Sequence, residues 1–293
     1  MTAQSTNPMS IVLAPASILR VLAICTVALV CTHFAAIAAL RQIDPIEHPG
    51  IAALAGKFLL DSEMNVPTLF QAFGLLFCGI LLAAVAVVAR KSQPLDTVYW
   101  IALSVLFCAM SIEEVCGFHE LLIFPLRERL GLHGVFYFAW VIPGLLMVMT
   151  VVLLFVRFLL RLPLRTRLLF ILAAGIYVGG AIGMEMIGGI LAEQTQFKGS
   201  FADQSQASIA YLLAATVEEL LEIAGVAIFA YGLLDWLKNA GVSLSLSFVG
   251  QRSYSADRIS RTMATERSNA QPSGAASIDR DSKLHTATQK SLY

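Results

Sequence analysis

Six runs of predominantly apolar residues, at roughly 17–40, 67–90, 97–118, 134–158, 167–192 and 208–237, restrict what this chain can fold into more than any other feature of its sequence. Each has about the twenty residues that a helix needs to cross the hydrocarbon core of a bilayer. No stretch reads as a strand. The composition points the same way. Of 293 residues, 57% are hydrophobic and 14% charged, and the mean hydropathy is +0.75. That is too apolar and too poor in charge for a soluble domain of this size. The expected fold class is therefore all-α, a polytopic transmembrane helical bundle of about six spans surrounded by membrane lipids. The first run follows Arg20 as a signal peptide's core would, but its long approach and long apolar stretch favour an anchor. A formal net charge of zero gives no sign of a nucleic-acid partner.

Basic residues in the connections set the expected orientation. Arg90 and Lys91 follow the second run, and Arg157, Arg161, Arg165 and Arg167 crowd the link between the fourth and fifth. Lys238, Arg252, Arg258, Arg261 and Arg267 follow the sixth. The opposite side carries Arg41, Lys57, Arg127, Arg129 and Lys198, offset by Asp61, Glu63 and Glu128. The positive-inside rule then places both termini in the cytoplasm, as expected of a multi-pass membrane protein. The chain divides into a cytoplasmic segment 1–16, a six-helix transmembrane domain 17–240, and a tail 241–293. That tail is rich in Ser, Thr, Ala, Arg and Gln, and it is expected to be disordered. No internal repeat marks an inverted-repeat transporter. The five cysteines read as packing residues, and His33, His48 and His133 as interfacial. Tyr99, Trp100, Tyr137 and Trp140 suit aromatic belts near helix ends. Gly175, Gly179 and Gly183, at four-residue spacing, suit close helix packing.

Ionisable groups inside spanning helices cost several kcal/mol each unless a partner or a cavity receives them, so each calls for an explanation. This chain places many in three spans: Ser111-Ile-Glu-Glu-Val-Cys-Gly-Phe-His-Glu120, Gly183-Met-Glu185, and Val217-Glu-Glu-Leu-Leu-Glu222. At about 1.5 Å per residue, Glu113, Glu114 and Glu185 fall in the outer half of the membrane, and Glu218, Glu219 and Glu222 between that half and the midplane. Three distant segments thus share one layer. Glu218, Glu219 and Glu222 project from one side of the sixth helix, while Glu113, Cys116 and Glu120 form one stripe of the third. Glu114 and His119 join the same site only if the third helix ends near Gly117. Asp61 and Glu63, at the outer start of the second span, complete the cluster or line its entrance. Asn65 before Val66 and Pro67 reads as a helix N-cap.

The strings Leu60-Asp-x-Glu-x-Asn-Val-Pro, Ser111-Ile-Glu-Glu-x4-His-Glu and Glu218-Glu-x2-Glu-x2-Gly resemble those of a group of bacterial multi-pass membrane proteins of uncharacterised function. The likeness covers most of residues 17–237 and omits the tail. It implies a shared acidic site near the outer surface and supplies neither activity nor substrate. Glu113 stands where that group would have aspartate.

So many carboxylates in a low dielectric must be protonated or neutralised by cations, and internal Lys and Arg are absent from these three helices. A metal site accordingly suggests itself, with Glu114, His119, Glu185, Glu219 and Glu222 as ligands of a divalent ion (Fe, Mn, Zn or Mg) and Glu113 or Glu218 as general base. The first expectation is a metal-dependent enzyme acting on a lipid or amphiphile. The alternative is a proton- or cation-coupled transporter, and a third reading is an assembly or sensor subunit with a structural metal.

Overall fold

The computed structural model describes residues 9–44, 46–195 and 207–248. Lys198, the basic residues after position 251 and nearly all of the tail expected to be disordered lie outside them. The compact body comprises residues 10–246. Of the remaining unit, 1–9 and 247–293, only Met9, Ser247 and Phe248 are described.

The described residues are mostly helical. The order is α1 Pro15–Leu40, α2 Pro49–Gly56, α3 Val66–Ser92, α4 Thr97–Cys116, α5 Glu120–Leu130, α6 Val141–Arg161, α7 Leu164–Val178, α8 Glu185–Thr195 and α9 Ile209–Asn239. A π-helical segment, Gly179–Met184, joins α7 to α8. Two short strands, β1 Met9–Val12 and β2 Ser245–Phe248, pair with each other, which corrects the expectation of no strand.

Among the described residues, five helices are long and apolar enough to cross a membrane: Pro15–Leu40, Val66–Lys91, Pro94–Cys116, Val141–Arg161 and Leu164–Thr195. They mark a multi-pass membrane protein. The sixth expected span corresponds to α9, about 46 Å long at 1.5 Å per residue. It is the centre of the body and packs against α1, α3, α7 and α8.

Two expected boundaries move, each at a glycine. The third helix stops at Cys116 rather than 118 because Gly117 turns left-handed (φ 58°) and its N–H closes on the Glu113 carbonyl at 2.8 Å. A side chain there would clash with its own backbone, whereas glycine adopts the conformation freely. The fourth helix starts at Val141 rather than 134, because Gly134, also left-handed at φ 61°, begins a separate 3₁₀ turn, Gly134–Phe136.

Close packing uses glycines other than the expected stripe. Nothing lies within 4 Å of where a Cβ would stand on Gly175, Gly179 or Gly183. Gly180 and Gly225 make the tight contacts instead. A Cβ on Gly225 would stand 2.7 Å from the Tyr177 Cβ, and one on Gly180 would stand 2.8 Å from the Glu218 carbonyl oxygen. α4 is held to α3 by two hydroxyls, Ser104 donating to the Gly79 carbonyl and Ser111 to that of Ala72, each at 2.8 Å. The core at the basic end centres on Trp100, Phe158, Leu233 and Leu237, all fully buried.

Candidate functional site

One cavity of about 510 Å³ collects all seven residues expected to carry chemistry: Glu113, Glu114, His119, Glu185, Glu218, Glu219 and Glu222. Asp61, Glu63 and Glu120 also line it, bringing the carboxyl groups to nine. His119 and Arg127 are the cationic side chains that line it among the described residues. Cys116, which shares a helical stripe with Glu113, is exposed and does not line it.

Local structure explains why the residues meet. Ending α4 at Gly117 folds His119 back onto the last turn. Its backbone N–H (3.1 Å) and its Nδ1 (2.7 Å) both reach Glu113 Oε1. With Nδ1–H donating to that carboxylate, Nε2 is the ring nitrogen left to the cavity. His119 also lies against Trp140, ring centroids 4.7 Å apart. The wider turn of the π segment serves Glu185. In an α-helix, residues four apart drift by about 40°, and i→i+5 bonding reduces that drift, so Tyr177, Ala181 and Glu185 all face the cavity.

The loop before α3 is anchored by residues that the sequence does not single out. His33, expected at an interface, is 2% exposed. Its Nδ1 accepts from the Leu60 N–H at 2.9 Å, so Nε2 carries the proton and donates to Thr216 Oγ1 at 3.2 Å. One imidazole thus ties α1, the Asp61 loop and α9 together. Asn65 caps α3 as expected, accepting from the Thr68 N–H at 3.0 Å while its Nδ2 donates to the Leu59 carbonyl at 2.6 Å.

The acids are paired with donors rather than with Lys or Arg. The Trp140 indole N–H donates to Glu185 Oε1 at 2.6 Å, which corrects its assignment to a lipid-facing belt. The Tyr177 hydroxyl donates to Glu222, and that of Tyr211 to Asp61. Glu185 and Glu218 are hydrogen-bonded to each other, an arrangement that needs one proton between two carboxyl groups. One buried oxygen, Glu63 Oε2, has no hydrogen-bond partner. Burial raises Asp61 from 3.8 to about 7, assisted by the charge of Glu185, and raises Glu63 from 4.5 to about 7, assisted by Glu120. Burial alone would lower His119, but the hydrogen bond to Glu113 and its charge outweigh it and the imidazole is held above its ordinary value.

Carboxylates and an imidazole suit a hard or borderline divalent ion. Their positions do not: among the described residues, no three His, Cys, Asp or Glu side chains converge closely enough to hold a metal.

The match to a known family lies over this same region. The family described as Domain of unknown function (DUF8692) matches residues 19–237. The chain belongs to that family. The match takes in the cavity and nearly all of α1 and α9, and it excludes the tail, but it names no activity. No curated protein and no solved structure matches the chain.

Proposed function

We propose that this DUF8692 protein is an intramembrane enzyme acting on a lipid or amphiphile, with the acidic cavity as its active site. The observation that carries the reading is the Glu113–His119 dyad at 2.7 Å facing a cavity that also contains a proton-sharing carboxyl pair. A carboxylate on Nδ1–H fixes the tautomer and orientation of an imidazole and stabilises its charged form, leaving Nε2 to take a proton from water or a hydroxyl. The Glu185–Glu218 pair keeps a proton available for a leaving group. Base and acid thus occupy one chamber. Packed side chains close the basic end of the body.

A divalent ion belongs to this proposal through the chemistry of its donors. His119 Nε2, Glu114, Glu185, Glu219 and Glu222 would hold it after side-chain rotation, and Glu113 would be the outer carboxylate that orients a ligating histidine. Bound, the ion would acidify a water.

The test uses protein purified into lipid nanodiscs. Incubated with fractionated membrane lipids and followed by mass spectrometry, the wild type should generate a cleaved product that His119→Asn does not. Elemental analysis of the same samples reports metal per chain, with Glu185→Gln and Glu219→Gln as comparisons. Lipid turnover that survives His119→Asn would sink the reading.

A second reading, proton- or cation-coupled transport, draws support from the π segment Gly179–Met184, which abuts the proton-sharing Glu185. π-helical turns within α-helices occur frequently at functional sites. It requires that sealed vesicles containing the protein move protons or cations, and that Glu218→Gln stops the flux.

A further inference from the structure

Toward the basic end from the acidic cavity lies a second cavity of about 290 Å³, apolar and set between α4 and α6. Phe107 and Met110 of α4 face Val151 and Phe155 of α6 across it. Aromatic contacts bound this window at either end, the first between the two helices and the second between residues just beyond them. Tyr99 stacks on Phe158 with centroids 5.0 Å apart at the basic end, and His119 lies against Trp140 at the acidic end. Tyr177 lines both cavities, so the apolar window and the acidic chamber adjoin at its ring. Gly225 provides the space, since any side chain there would strike Tyr177.

The dimensions identify the occupant. Along α6 the lining runs from Met147 to Leu159, about 18 Å at 1.5 Å per residue. One leaflet contributes about 15 Å of a 30 Å hydrocarbon core, so the window matches the depth of a single lipid chain. Spread over that length, the volume describes a slot narrower than the roughly 10–12 Å of a helix, suited to a hydrocarbon chain rather than to a peptide segment. At the polar end, nine carboxyl groups face one imidazole and one guanidinium, alongside the aromatic rings of Trp140, Tyr177 and Tyr211. Carboxylates and aromatic faces together favour an ammonium group.

We propose that the α4–α6 window holds the single hydrocarbon chain of an amphiphile whose cationic head group sits in the acidic cavity. This names the substrate class for the enzymatic reading above and rests on it. The ammonium head group would supply part of the positive charge that the carboxyl groups call for. The chain reaches its slot sideways from the bilayer, because α4 and α6 leave the window open between these two aromatic contacts.

Two photoreactive probes test it in nanodiscs: a primary alkylamine and a fatty acid with the same chain of about sixteen carbons, long enough for one leaflet. The amine should label peptides of α4 and α6 that line the window. Val151→Trp, and independently Leu106→Trp, each checked for folding by thermal melt, should cut that labelling at least about fivefold, equivalent to roughly 1 kcal/mol. Labelling confined to outward-facing residues such as Leu146 and Leu153, and unmoved by either tryptophan, overturns the proposal. Equal labelling of the window by amine and acid overturns its head-group half. Both failures are separable from failure of the enzymatic reading, which shows as turnover persisting in His119→Asn whatever the probes label.

Discussion

The chemistry of the cavity depends on how single side chains are paired, and two pairings make measurable claims. His119 is held above its ordinary pKa because Glu113 accepts its Nδ1–H. In Glu113→Gln that cause disappears and burial remains, so the His119 titration followed by NMR should shift downward. A titration unchanged in the variant would show that another group governs the ring. Asp61 and Glu63 titrate near 7 in the folded protein, against 3.8 and 4.5 without its influence. Between about 4 and 7 the folded state holds protons that the unfolded chain has released, so stability is greatest below that window and falls as pH rises through it. The melting temperature in detergent should be several degrees higher at about pH 5 than at about pH 8, and Asp61→Asn should flatten part of that difference. The acids themselves were legible in the sequence because charge inside an apolar run stands out. Their donors Trp140, Tyr177 and Tyr211 were not: Trp140 reads as an aromatic-belt residue near a helix end, and an uncharged tyrosine inside an apolar run does not stand out. His33 was missed as well: only the meeting of α1, the Asp61 loop and α9 shows that it is a strut.

At the scale of the helices, the outcome turns on where regularity is interrupted. Each apolar run contains a helix, and five of these, among the described residues, are long and apolar enough to cross a membrane. What decides the site is the left-handed turn at Gly117, and the sequence offers it only as a condition: His119 meets Glu113 if the helix ends there. Gly117→Ala should cost about 1–2 kcal/mol and displace His119 from Glu113, lowering the melting temperature and the histidine pKa together. The π segment leaves no periodic trace, since one wider turn adds no residue type that marks it. Glycine spacing misled for a physical reason. A four-residue repeat reports which residues share a face, not which face meets a neighbour, and in this fold Gly180 and Gly225 take the contacts. Gly225→Val should therefore destabilise by about 1–3 kcal/mol through overpacking against Tyr177. Gly175→Ala, which meets nothing within 4 Å, should melt like the wild type.

The whole molecule is polarised along its helices. One end gathers the acids of the Asp61 loop, the end of α4 and the first half of α9. The other holds Arg90, Lys91, Arg157, Arg161, Arg165 and Lys238, with Arg161 paired to Asp96 and Arg165 to Asp235. Such an asymmetry is what fixes insertion, because positively charged connections resist translocation. A six-span arrangement with both termini in the cytoplasm follows only if α9 crosses despite its three glutamates. Its position at the centre of the body makes that feasible, since neighbouring helices and the cavity, rather than lipid, receive the carboxyl groups. In a variant lacking the five native cysteines, a cysteine replacing exposed His133 at the acidic end should react with a membrane-impermeant maleimide in intact cells. One replacing Lys91 at the basic end should react only after permeabilisation, and so should one replacing Lys238 beyond α9. Labelling of the Lys238 position from outside, with Lys91 protected, would mean that α9 does not cross, and the acidic chamber would then be built by five spans around a helix that enters and returns.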